Sequence, residues 1–382
     1  TEIAWTRSLS FLFFSILIHR LFLYPIREFL LFFLHDFHIQ EFPKMIRPGP
    51  ANHIIDVPGI NIGHAHDSTM ITGVSVVLPD RPAVAAVDCR GGAPCTRETE
   101  LMRPENLVEE VHAIVLSGGS TQGLDAASGV SDWLRQEHRG FQIGKDLVVP
   151  IVPSACIFDL NNGGDKSDLN PGKYRQMGYE AVSSAAKVTG QGNFGAGMGA
   201  KAGTLKGGMG SVSLMDDEGN IVGALSVSNP FGSVTLPDRP EFWAWPFERE
   251  SEFGGLPPPS MDSPLPLNYD QHSFFQEVTN TTLMVVALNV ELKRSEALRV
   301  AIMAQDGLAR AVRPSHCPND GDTLFVLCTG DKKFKKGDTA TLYRLGMMAA
   351  DCIARSIARG VYEAESMGRW PSYRDHFNLN QI

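Results

Sequence analysis

Nine prolines fall between positions 230 and 266, and the chain soon afterwards enters the apolar run TTLMVVALNV at 281–290. Proline locks φ and has no N–H to donate, so a stretch this dense in it supports neither helix nor ladder. It reads as one long irregular segment with regular structure on either side. Segments of that length inside a compact domain are often functional. The strand expected at Thr281 therefore begins abruptly.

Upstream of the prolines, β-like runs alternate with helical patterns. Candidate strands lie at 73–78, 84–88, 113–116, 148–152, 210–214 and 222–227, each apolar or β-branched and bounded by Gly, Pro or Asp. Helical periodicity covers 123–137 and 174–187. Downstream, the strand at Thr281 is followed by a helix with Ser295 as its expected N-cap, then the strand DTLFVLCTG and an amphipathic helix over 340–359. This order predicts layered α/β packing.

The first 44 residues have a different character. An apolar run at 8–18 is broken by His19 and Arg20, and Pro25, Arg27 and Glu28 interrupt the apolar residues beyond it. A spanning helix needs about 20 uninterrupted apolar residues. The expectation is an extension outside the enzyme over 1–44, with a membrane or interfacial anchor and a secretion signal as alternatives. A single domain is expected over 45–382.

Composition narrows the partners. A formal charge of −9 with no basic face argues against nucleic acid, and the cluster Lys332, Lys333, Lys335 and Lys336 reads as a solvated turn. The six cysteines show no C-x-x-C spacing and read as reduced thiols, as in a cytoplasmic protein; Cys89 and Cys95 flank a Gly-Gly turn and are the one pair placed to approach each other.

Asn280-Thr281-Thr282, at the junction of proline-rich segment and strand, carries the main chemical suggestion. A threonine hydroxyl is a poor nucleophile until a base takes its proton, and a free α-amine on the same residue can serve. That amine titrates near ~8, so much of it is basic near neutral pH. Making it requires scission of the Asn280–Thr281 bond by hydroxyl attack and an N-to-O acyl shift. The tripeptide alone is also a glycosylation-type sequon and a common loop-to-strand junction.

Longer stretches carry a resemblance. NTTLMVVALN, AQDGLARAVRPSH and DGDTLFVLCTG are similar to the small chain of DmpA-type aminopeptidases, a family that includes β-peptidyl aminopeptidases and nylon-oligomer hydrolases. The likeness extends upstream through DCRGGAPCTRETELMRPENLVEEVHAIVLSGGS, GLDAASGV, IFDL, GNFGAGMGAKAGTLKGGMG and SNPFG, so that it covers about residues 50–350 in order. It implies a four-layer αββα sandwich that cuts itself into a large chain, 45–280, and a small chain, 281–382. Thr281 falls on the family nucleophile and Asn229 on an asparagine of the oxyanion hole. Asp320 and Asp322 fall on positions that pair with the nucleophile. Two apart on a strand, they would share a face and raise each other's pKa. The implied reaction is release of N-terminal residues from short peptides or amides through an acyl-enzyme, without cofactor or metal. The expected assembly is a homo-oligomer.

Two positions depart from the pattern. Phe158 stands where several members have an oxyanion-donating tyrosine, and phenylalanine donates no hydrogen bond. The lysine of nylon-oligomer hydrolases aligns near Thr204, between Lys201 and Lys206; the KGG context favours Lys206 as its counterpart.

Other chemistries compete. His64 and His66 in GHAHD are spaced to face one metal from a strand, as in zinc hydrolases, although His112, His138, His272 and His316 offer no recognisable ligand spacing. GAGMG within 190–210 looks like a dinucleotide fingerprint but lacks the strand lead-in and reads as tight turns. An acetyltransferase of the ornithine acetyltransferase type would use the same threonine with an amine as acyl acceptor. An unprocessed, non-catalytic binding protein is the remaining alternative.

Overall fold

The computed structural model describes residues 45–145, 147–187, 190–260 and 280–379. The expected N-terminal extension or anchor at 1–44, and the last part of the proline-rich segment at 261–279, lie outside the described residues. Among the described residues no helix is long and apolar enough to cross a membrane.

The elements used below are, in chain order, β1 (Ile60–Asp67), β2 (Thr72–Pro79), β3 (Ala83–Cys89), β4 (Ile114–Ser117) and α1 (Ala126–Gln136). β5 (Ser154–Cys156), α2 (Pro171–Ser183), β6 (Gly208–Asp216) and β7 (Ile221–Ser228) come next. The chain closes with β8 (Leu283–Val290), α3 (Arg294–Ala311), β9 (Thr323–Lys332) and α4 (Thr339–Tyr362).

Two sheets stack between two helical layers, as the αββα expectation requires. The larger runs β6-β7-β8-β9-β3 and continues into the short strand Glu110–Val111. Its neighbours are antiparallel except β8 and β9, which are parallel with Leu283 opposite Thr323. A parallel pair needs a long crossover, and α3 supplies it. The smaller sheet runs β1-β2-β4-β5 and ends on Thr96–Arg97.

Alternation along the strands sorts side chains into the layers. On the smaller sheet Ile60, Ile62, Val77, Ile114 and Leu116 meet Leu225, Val227, Leu283, Val285 and Phe325 of the larger one. The intervening Val74, Val76 and Val115 pack on Ala126, Val130, Leu134, Met177 and Ala181 of α1 and α2. A period of two sends successive residues to opposite faces, so a sheet buried on both sides is apolar throughout. Each fully buried Val, Leu or Ile contributes about 1.5–3 kcal/mol. On the outer face of the larger sheet, α4 packs against β6 and β7, and α3 against β3 and β9.

Helix starts obey local chemistry. The Asn170 side chain accepts the Lys173 N–H and Pro171 opens α2, while Asp338 accepts the Thr341 N–H at the start of α4. α3 begins at Arg294, and its N-cap is Lys293 instead of the expected Ser295. Glu296 reaches back to the Lys293 N–H over 2.8 Å, which places the cap two residues earlier. The strand expected over 148–152 is only Leu147–Val149, paired with Phe141–Ile143 in a small hairpin. Pro150 and Pro153 lack the N–H groups a longer ladder would use.

The described part of the proline-rich segment holds only a short 3-10 turn at Trp245–Phe247 and isolated bridges at Ser233–Arg313 and Thr235–Phe242. It is nonetheless anchored. Glu252 meets the guanidinium of Arg355 on α4 through Nε–Oε1 at 2.5 Å, with both side chains buried. A second bond joins Nη2 to Oε2 at 2.9 Å, and Asn52 donates to Oε2 at 2.7 Å.

Candidate active site

The junction lies where three neighbouring strands of the larger sheet meet. β7 and β8 pair with Val227 opposite Leu283, so two residues further out Asn229 lies opposite Thr281. The Thr281 N–H donates to the Asn229 carbonyl over 2.8 Å and continues that ladder. On the other side the parallel register extends backwards from β8 and β9. Asn280 bridges Asp320, the Asn280 N–H donates to Asn319, and the Gly321 N–H donates to the Asn280 carbonyl at 3.0 Å. Register therefore brings 229, 281 and 321 side by side.

Thr281 is buried, and its Oγ1 lies 2.5 Å from the carbonyl oxygen of Asn280. That oxygen thus receives both the hydroxyl and the Gly321 N–H. Asn229 is fully buried; its Oδ1 accepts the Lys201 N–H at 2.9 Å, while its Nδ2 has no partner among the described residues. With the acceptor end occupied, the donor end is the one left over for a ligand oxygen.

Asp320 and Asp322, both buried, are held by backbone donors. Asp320 accepts the N–H groups of Phe231 and Cys317, each at 3.1 Å. Asp322 accepts the Thr282 N–H at 2.9 Å on one oxygen, and the His316 N–H at 3.1 Å and ring Nδ1 at 2.9 Å on the other. Burial, and secondly the Asp322 carboxylate, push the Asp320 carboxyl up to about 6. The pair ties the two turns together: Asp320 holds the backbone beyond Asn229, and Asp322 holds the peptide that comes after Thr281.

Close backbone approach makes two glycines necessary. A Cβ on Gly321 would lie 2.6 Å from Thr281 Oγ1, and one on Gly91 would lie 2.3 Å from the Asp320 carbonyl oxygen. Gly91 belongs to the 90–93 turn, whose N–H groups at Arg90 and Ala93 bind the carbonyls of Asp322 and Asp320.

Lys206 stands apart from this group. Its buried ammonium donates to the carbonyls of Gly197 at 3.0 Å and Gly207 at 2.9 Å, and burial pushes its pKa down to about 7, against the opposing pull of Asp159. It makes no hydrogen bond to Asn229, Thr281, Asp320 or Asp322 among those described. Lys201, in the same hairpin, is the lysine whose backbone contacts Asn229; its ammonium lies 4.7 Å from the Trp370 ring centroid, and burial lowers its pKa to about 8.

His64 and His66 both lie against the Phe194 ring, with centroids 6.3 and 6.1 Å away. His64 Nδ1 also meets Ser75 Oγ at 3.0 Å, and burial pushes the ring down to about 4. Among the described residues no third potential ligand joins the two histidines. All six cysteines are free thiols.

The geometry gives parts to groups that the sequence reading named for no such role: the Gly321 N–H, inside DGDT, and the pair His316–Cys317, where AQDGLARAVRPSH runs on towards DGDT.

The profile of peptidase family S58 matches residues 52–371. The chain belongs to peptidase family S58. Among relatives of this S58 member, an uncharacterised aminopeptidase of Mycobacterium tuberculosis is 40% identical over 351 residues, covering 85% of this chain and 98% of the relative. The 6-aminohexanoate-oligomer endohydrolase of Paenarthrobacter ureafaciens is 32% identical over 297 residues, covering 72% of this chain and 74% of that protein. Among solved structures, a β-aminopeptidase of Burkholderia sp. superposes with a TM-score of 0.63 at 20% identity, covering 88% of this chain and 94% of the other. The L-aminopeptidase D-Ala-esterase/amidase of Ochrobactrum anthropi, described as a variant of the Ntn hydrolase fold, gives 0.62 at 18% identity, covering 88% and 94%. The DmpA-type resemblance and the αββα fold are thus both upheld, and this S58 member is of the aminopeptidase, peptide-hydrolysing kind.

Proposed function

We propose that the chain cleaves itself between Asn280 and Thr281 and that the freed Thr281 is the nucleophile of an aminopeptidase acting on short peptides or amides. The observation that carries this reading is the Thr281 hydroxyl lying 2.5 Å from the carbonyl oxygen of the bond to be cut. Oγ1 attacks the Asn280 carbonyl carbon, and the Gly321 N–H steadies the oxygen as it becomes negative. The C–N bond breaks as the hydroxyl proton passes to the leaving nitrogen. Water then hydrolyses the ester, leaving an Asn280 carboxylate and a free Thr281 α-amine.

In the second reaction that amine takes the hydroxyl proton, Oγ1 attacks the substrate carbonyl and an acyl-enzyme forms. The unpartnered Nδ2 of Asn229 supplies a donor for the oxyanion. The leaving amine departs, and water releases the acid. The 6-aminohexanoate oligomer for which the Paenarthrobacter relative is named supports ω-amides as a variation on α-peptide substrates.

Intact mass of freshly purified wild type beside Thr281→Ala tests the reading. Two fragments meeting at 280/281 in wild type and one full-length species in the variant are expected. An uncut wild type, or a variant that still splits there, sinks it.

A further inference from the structure

His316 and Cys317 divide the two buried carboxylates between them. Cys317 gives its N–H to Asp320 at 3.1 Å. His316 gives Asp322 both its N–H at 3.1 Å and its ring Nδ1 at 2.9 Å, on the same oxygen. The other oxygen of Asp322 accepts the Thr282 N–H at 2.9 Å. One carboxylate therefore connects the His316 ring to the peptide directly after Thr281.

We propose that His316 is a positioning residue, acting through Asp322 to fix the Thr281–Thr282 peptide and so the direction of the Thr281 hydroxyl and amine. The inference rests on Thr281 being the nucleophile. Two observations beyond the contact itself support it. His316 takes a left-handed backbone conformation, φ +55°, which is strained for a non-glycine residue and here delivers N–H and ring to one oxygen. The ring is also peripheral: its side chain is 21% exposed, against 1% for Asp322. Without it Asp322 keeps two backbone donors, so the carboxylate stays bonded but loses the side chain that sets its rotation. A carboxylate only accepts, so in this bond Nδ1 carries the hydrogen.

The self-cleavage reaction tests this without any choice of substrate. His316→Asn can place an N–H where Nδ1 lies; His316→Leu fills the space and donates nothing. The Leu variant is expected to slow first-order scission, and to lower kcat of the processed enzyme on an aminoacyl p-nitroanilide, by about 10- to 100-fold with KM within about threefold, as small misplacements of a reacting group do. The Asn variant is expected to stay within about threefold of wild type in both reactions. A Leu variant that folds and reacts at the wild-type rate, or an Asn variant as slow as Leu, overturns the proposal. If Leu does not fold, Asn against the longer His316→Gln decides: Asn faster than Gln supports positioning, and equal rates overturn it. Failure of the nucleophile reading is separate, since it appears as uncut wild type or as scission in Thr281→Ala whatever position 316 does.

Discussion

The Gly321 N–H donates to the carbonyl oxygen of Asn280 at 3.0 Å, while the side-chain Nδ2 of Asn229, across the neighbouring ladder, has no partner among the described residues. Under the proposed mechanism the carbonyl inside the chain and the carbonyl of an incoming substrate would therefore use different donors.

Asn229→Ala should accordingly separate the two reactions. Substrate hydrolysis is expected to lose about 10²- to 10³-fold in kcat, the usual effect of removing one oxyanion donor. Scission should persist, because the backbone contacts of residues 229 and 321 remain. Fragment masses and steady-state kinetics on one preparation check both halves; loss of scission together with hydrolysis would refute the separation.

Gly321→Ala places a methyl 2.6 Å from Thr281 Oγ1 and 2.8 Å from the Ala93 carbonyl oxygen. Crowding against backbone has little room to relax, and overpacking of this kind costs about 1–3 kcal/mol. The expected outcome is an accumulated full-length precursor and a lowered melting temperature, seen by gel densitometry and calorimetry.

Asp320 titrates near 6 in the folded chain, above its ordinary carboxylate value, chiefly through burial. The folded state therefore holds a proton that the unfolded state has already released. Stability from this residue is full at pH below about 4, declines as pH rises towards about 6, and is flat above, for a total on the order of 3 kcal/mol. Urea midpoints from pH 4 to 8 should show this decline in wild type and not in Asp320→Asn.

Glu252→Gln leaves the buried Arg355 guanidinium without its counter-charge. Breaking one side of a buried ion pair typically costs about 3–5 kcal/mol. Urea unfolding at constant pH should register that loss, while the double replacement Glu252→Gln with Arg355→Met should recover part of it.

Much of the layering was legible in local text. The apolar runs of β2 and β8, and the amphipathic patterns of α1 and α4, depend on neighbours along the chain, so layered α/β packing could be read before any coordinates. The Asn280–Thr281 junction was legible as a hydroxyl residue opening an apolar strand straight after a proline-rich stretch, but only the resemblance marked Thr281 as a candidate nucleophile. The pairing of Asn229, Thr281 and Gly321 was not, since register joins positions dozens of residues apart and no local signal states it. Lys206 shows the opposite difficulty. The resemblance and its KGG context favoured Lys206, whose fully buried ammonium faces the carbonyls of Gly197 and Gly207. The cap of α3 moved from Ser295 to Lys293 because Glu296, not a hydroxyl, closes the first turn.

The strand order β6-β7-β8-β9-β3 has a consequence for the chain after a break at 280/281. β8 and β9 would belong to the C-terminal piece, with the N-terminal piece's β7 on one flank and β3 on the other. Neither fragment would own the whole of this larger sheet, and pulling them apart would mean unzipping two full ladders at once. Subunit exchange between molecules would then be as slow as unfolding, so an isotope-labelled small fragment mixed with unlabelled processed enzyme should remain with its original partner.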